Sequence, residues 1–173
     1  MSQVGNISQI AGSIDLGPAG SLQFQFAKLQ LALAETAKNS AMDYINQIQN
    51  SQDEQKKVSK LLQDARQAQA DAKALKEQGS KSPWTPMTPE MIEYMDKNGL
   101  AYDKSGGDYL HDKDQWEVAI NSLKAQLDQL GTDTQQKMVF VQDFMGQYNS
   151  YLQGANSAIQ QSNQTLAELA RVR

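Results

Sequence analysis

The stretch that decides the fold is residues 114–171, DQWEVAINSLKAQLDQLGTDTQQKMVFVQDFMGQYNSYLQGANSAIQQSNQTLAELAR. Within it, apolar residues and a few small ones recur at steps of three and four: Trp116, Ile120, Leu123, Leu127, Leu130, Thr134, Met138, Val141, Met145, Tyr148, Leu152, Ala155, Ile159, Ser162, Leu166 and Leu169. That spacing follows the α-helical period and puts a seam along one side of a long helix. Two successive four-residue steps, Leu130 to Thr134 to Met138, predict a stutter beside Gly131, where a supercoil locally unwinds. Asp114 and Glu117 have the spacing of a capping box at the helix start.

A second seam lies upstream. It runs through Leu22, Phe26, Leu29, Leu33, Ala37, Ala41, Ile45 and Ile48, thins at Gln52 and Gln55, and resumes with Val58, Leu62, Ala65, Ala68, Ala72 and Leu75. No Pro or Gly falls between Ser21 and Gln78, so one helix is expected over 21–78 with Ser21 as its cap. Such a helix would reach ~85 Å at ~1.5 Å per residue. Long helices are held mainly by packing of their apolar face, so it needs a partner. Two helices of similar length joined by an insert pack most economically antiparallel. The expected fold is therefore all-α: two long helices in an antiparallel coiled-coil hairpin, with a small irregular insert containing one short helix. The expected divisions are 1–20, 21–78, 79–113 and 114–171.

The insert announces itself by its punctuation. Gly79-Ser-Lys-Ser-Pro-Trp-Thr-Pro-Met-Thr-Pro89 cannot remain helical. Thr88 then caps a short helix over 89–98, with Pro89 in its first turn and Asn98-Gly99 as its stop. Between Leu100 and Asp112, two short extended pieces are expected around a Lys104-Ser105-Gly106-Gly107 turn.

Composition narrows the chemistry. The formal net charge of −4 and the lack of a basic stripe interleaved with aromatics argue against a nucleic-acid partner. There is no cysteine, which removes disulfides, zinc–thiolate sites and thiol nucleophiles. His111 is the single histidine, read as an exposed loop residue beside Asp112. Asp103, Asp108, Asp112 and Asp114 fail the EF-hand pattern, because Asp108 stands where Gly is required and Asp114 where the bidentate Glu belongs. They read as solvated capping acids. No phosphate-cradling loop is present. Neither catalysis, a cofactor nor a metal is expected. The most apolar run, Leu22 to Ala37, is interrupted by Gln, Lys and Glu and is not a membrane span. Residues 1–20 lack the basic start and apolar core of a cleaved signal and read as a flexible start; the alternative, an uncleaved export segment kept unfolded, needs support from elsewhere in the chain.

One segment points outward. From Met138 to Thr165 the only charge is Asp143, although Gln and Asn are abundant. Gly146, Ser150 and Gly154 stand four residues apart, and a mid-helix Gly costs about 1 kcal/mol relative to Ala, so close packing is the natural reason for them. These three residues are the expected self-assembly contacts. The expected hairpin seam comprises Leu29, Leu33, Ile45, Ile48, Leu62, Ile120, Leu123, Leu127, Leu130, Met138, Val141, Met145, Leu152 and Ile159.

The segment Pro89-Glu90-Met91-Ile92-Glu93-Tyr94-Met95-Asp96-Lys97-Asn98-Gly99 resembles the short central helix of the EspA/SseB family of type III secretion filament proteins. Ala119-Ile120-Asn121-Ser122-Leu123-Lys124, followed by Thr134-Gln135-Gln136-Lys137-Met138 and Tyr148-Asn149, is similar to that family's C-terminal helix, a pattern shared by needle-tip proteins. The resemblance implies a secreted, self-polymerising subunit at the bacterial surface, forming a sheath or tip that conducts translocators and effectors to host cells. It also implies partners: further copies of the chain, the needle and translocator proteins, and a small secretion chaperone that covers the assembly helices in the cytoplasm. Filament members carry a longer apolar run in the first helix than Leu22 to Ala37, and larger tip proteins carry a bigger insert than 79–113, so filament and tip both stay open. A cytoplasmic helical chaperone or adaptor of a secretion system is the alternative reading.

Overall fold

The computed structural model describes residues 22–171; the expected export segment, the Ser21 cap and the last two residues lie outside it. Helix α1 spans Leu22–Glu77 and α3 spans Lys113–Arg171; between them lie strand β1 (Thr85–Pro86), helix α2 (Pro89–Lys97) and strand β2 (Leu110–His111). The two long helices pack closely as an antiparallel hairpin, with the insert carrying one short helix and one short strand pair. The described chain forms two packing units, one built from α1 up to Gln47 and α3 from Lys137, the other from Ile48 to Gln136.

The second unit holds the larger side chains of the core. Val58, Leu61, Leu62 and Ala65 of α1 meet Trp116, Ala119, Ile120 and Leu123 of α3, and the insert adds Met87, Met91, Tyr94, Met95 and Tyr102. Leu127 and Leu130 pack against this core half-buried. Gln55 sits in the seam, where its Nε2 donates to the Leu130 carbonyl at 3.1 Å and to Thr134 Oγ1 at 2.9 Å. A polar seam residue satisfied only by particular atoms of the partner helix fixes the register of the pair.

Local signals set the ends of the elements. Thr88 Oγ1 accepts the Met91 N–H at 3.3 Å, with Pro89 in the first turn. The helix stops at Gly99, φ +65°, where the Leu100 N–H bonds the Met95 carbonyl at 2.8 Å and the Gly99 N–H bonds the Asp96 carbonyl at 3.2 Å. Gly79 (φ +73°) ends α1 in the same way.

Two sequence expectations for the insert need correction. The cap of α3 is Asp112, not Asp114: Asp112 Oδ1 accepts the N–H groups of Asp114 and Gln115, and Gln115 Oε1 accepts the Asp112 N–H. The capping box is thus shifted two residues upstream and uses Gln in place of Glu. The strand partner of Leu110–His111 is Thr85–Pro86, before α2, and not a piece flanking the Gly106-Gly107 turn. Thr85 faces inward, donating from Oγ1 to the Ala68 carbonyl at 2.9 Å and accepting the Trp116 indole N–H at 2.7 Å. That pair of bonds ties the ribbon to both long helices inside the second unit.

The first unit is packed differently. Its α1 contributes Ala27, Ala34, Ala37 and Ala41, and its α3 contributes Ala155 and Ala158, all buried. Tyr44 packs on Phe140 and Phe144 with ring centroids at 5.2 and 5.9 Å. Alanines and aromatic residues take the seam, while Leu31, Ile45, Met138, Met145 and Ile159 lie exposed on its flanks.

The inward residues of α3 run Leu130, Thr134, Lys137, Val141, Phe144, Tyr148, Tyr151, Ala155, Ala158 and Ser162, each buried or half-buried. The steps alternate four and three throughout, so the expected stutter is absent. The expected seam takes Met138 where the inward residue is Lys137, and from there it lies one place beyond the inward residue at every second step.

Candidate interaction surface

The expected seam residues separate into distinct groups. Leu62, Ile120 and Leu123 are buried; Leu29, Leu33, Ile48, Leu127, Leu130, Val141 and Leu152 are half-buried. Ile45, Met138, Met145 and Ile159 are instead exposed, at 39, 49, 41 and 38 %. The correction has one physical reason: the alanines and the aromatic residues of the first unit take the inner positions, leaving the longer aliphatic side chains outside.

These exposed side chains are ordered. Met138, Met145, Ile159 and Leu166, with the half-buried Leu152, recur every seven residues, each directly after an inward residue or in line with that column. On α1 the equivalent column is Phe24, Leu31, Lys38 and Ile45. The opposite flank is marked by Tyr44 on Phe140 and by a shallow cleft among Leu22, Phe26, Gly154, Ala158 and Gln161. The two seven-residue columns therefore share the remaining flank of the antiparallel pair. Lys38 is its charged member, ion-paired to Glu35 at 3.8 Å.

Of the three expected assembly residues, Gly146 and Ser150 are exposed, and a Cβ on Gly146 would meet nothing within 4 Å. Gly154 is turned inward instead. A Cβ there would come within 3.0 Å of the Gln30 Oε1 atom of α1, so this glycine accommodates an intramolecular neighbour. The three residues do not form one outward row. Met138, Met145, Leu152 and Ile159 of the seven-residue column belong to the expected hairpin seam.

The insert offers little reactive chemistry. His111 is buried, not exposed: its Nδ1 lies 3.0 Å from the Tyr109 carbonyl oxygen and its Nε2 2.8 Å from that of Asp103, with the ring 5.2 Å from Trp116. A neutral imidazole carries one N–H; only the doubly protonated ring donates to both carbonyls. Tyr109, at φ +55°, is held in the left-handed region by this contact and by the Met87 N–H on its carbonyl at 2.9 Å. Asp103 and Asp108 accept backbone N–H groups two residues on, from Ser105 and Leu110, as turn caps. Among the described residues, no group of three or more His, Cys, Asp or Glu side chains is placed to hold a metal ion. No described helix is long and apolar enough to cross a membrane.

Two titrating groups carry structural information. Hydrogen bonding from Lys104 at 2.7 Å, then from Tyr102 at 3.0 Å, holds the Asp96 carboxyl below its usual range. A depressed acid stabilises the fold above its ordinary pKa, and that contribution is lost as pH falls through the lowered value. At the other extreme, burial, followed by the hydrogen bond to Glu54 at 3.0 Å, pushes the Tyr94 phenol up to about 12. A raised phenol favours the folded state fully below its unfolded pKa of ~10, and the folded state loses that advantage as pH climbs from there through about 12. Absorbance titration of phenolate is expected to show a last step near pH 12 in the native chain. That step should be missing in Tyr94→Phe; the same final step in both proteins would contradict the assignment.

Comparison with protein-family models, with curated proteins and with solved structures gave no match.

Proposed function

We propose that the chain is a self-assembling structural subunit of a type III secretion filament or needle tip, exported to the bacterial surface and held by a small chaperone before export. The observation that carries this reading is the surface of the first unit. There Leu22, Phe26, Met42, Val139, Phe140 and Leu169 are exposed, in addition to the exposed members of the two seven-residue columns. Exposed apolar area of this extent marks an interaction surface, because a solitary soluble chain gains nothing from it. The near-absence of charge between Met138 and Thr165 supports the same reading, since charged residues are depleted at the centres of protein interfaces. The resemblance carried by Pro89–Gly99 and by the C-terminal helix supplies the particular system.

Expression in a bacterium with a working type III apparatus tests the proposal. The chain is expected in the culture supernatant, and on cell-surface tubes or needle ends by immunogold microscopy. Loss of the apparatus should keep it inside. Retention in the cytoplasm with the apparatus intact, in a fixed-ratio complex with another secretion protein, would favour the chaperone or adaptor reading.

A further inference from the structure

We infer that the column Met138, Met145, Leu152, Ile159, Leu166, together with Phe24, Leu31 and Ile45 beside it, docks against the same column of a second copy of this chain; this rests on the self-assembly reading above. The period of the column selects the kind of partner. Apolar residues seven apart on the flank of a two-helix pair form the seam that a further helix fills in a bundle. Chemistry then selects a second copy. Four residues beyond each of Met138, Met145, Leu152 and Ile159 stand Gln142, Asn149, Asn156 and Asn163, all exposed. The α3 column is thus bordered by amides, which both donate and accept hydrogen bonds and so pair with their own kind. Neither the α3 column nor this border holds a charge. Two α3 columns meet without like-charge repulsion, and on the α1 side Lys38 is ion-paired to Glu35.

The area is sufficient. Leu166 is 61 % exposed and Met138 49 %, and Phe24, Leu31, Ile45, Met145 and Ile159 lie between 38 and 48 %. Side chains of this size leave on the order of 700 Å² per copy, against ~800 Å² contributed by each partner of a standard interface. Stripe-on-stripe contact is isologous, so it makes a four-helix pair that closes on itself and leaves the other flank free for onward growth.

Two triple variants test this. One carries Met138→Lys, Met145→Lys and Ile159→Lys; the other carries glutamate at the same positions. All three side chains are exposed in the single chain, so circular dichroism should show unchanged helicity. In sedimentation velocity, each variant alone is expected to associate at least ~10-fold more weakly than the native chain, because like charges now face each other. An equimolar mixture of the two should recover association. Lysine variants that associate as the native chain does would overturn the inference while leaving self-assembly standing. So would a mixture that fails to recover, since another surface would then cover the column. A native chain that stays single at every concentration would remove both the inference and the reading beneath it.

Discussion

Replacing Trp116 by alanine is expected to destabilise the second unit by about 3–5 kcal/mol, the cost of truncating a large aromatic in a closed core. Trp116 is 1 % exposed, packs on His111 and donates its indole N–H to Thr85. Its loss empties volume beneath the strand pair and removes a hydrogen bond that fixes β1. In a chain of this size the melting midpoint should fall on the order of 10 °C. Near-ultraviolet circular dichroism of the insert aromatics should weaken at temperatures where the helical signal persists. Trp116→Phe keeps most of the volume and should cost less, leaving the Thr85 hydroxyl without its donor. Trp84, 43 % exposed, provides the internal comparison: Trp84→Ala should move the midpoint little. Equal effects from the two tryptophans would contradict the core described here.

The second large effect separates the alanine seam from the seam of large residues. Ala34→Leu should destabilise the first unit by about 1–3 kcal/mol, because an extra branched chain must enter a closely packed helix pair. Ala34 is 2 % exposed, although the spacing of large apolar residues leaves it outside the expected seam. Ile45→Ala is the complement. As a buried seam residue it would cost about 2–5 kcal/mol; at 39 % exposure it should cost under ~1 kcal/mol. Urea unfolding of both variants gives the comparison. A neutral Ala34→Leu with a damaging Ile45→Ala would show that α1 is rotated from the position described.

The contrast between these two residues explains how far the sequence is readable. Long helices and the insert are legible because Pro83, Pro86, Pro89 and Gly99 punctuate the chain and nothing interrupts residues 22–77. Thr88 and Gly99 act through neighbours within a few residues, so local rules suffice for them. In the second unit the largest apolar residues also face inward, as Leu62, Ile120 and Leu123 do. The first unit defeats the same procedure. Apolar residues there occupy the inner columns and their flanks, so periodicity admits two registers one residue apart. Following the larger residue chooses Met138 over Lys137 and Ile159 over Ala158.

His111 and Gln55 show the other limit. The partners of His111 are backbone carbonyls, one of them at Asp103, and no side-chain pattern reveals where a carbonyl points. Gln55 reads as a thinning of the seam until Leu130 and Thr134 are placed opposite it. His111 is buried and Gln55 half-buried, both with hydrogen bonds made, and such groups become visible only once the fold closes around them. The proposed docking column is hidden in the sequence for a related reason. Its residues are the ones that periodicity assigned to the interior.

The central claim is that the first unit buries alanine and holds its larger aliphatic residues outside for other copies of the chain. Sedimentation velocity of the purified native chain over a range from micromolar to near-millimolar concentration tests it most directly. The expected result is a rise in sedimentation coefficient with concentration, beyond that of one chain. A single species of monomer mass across the whole range would contradict it.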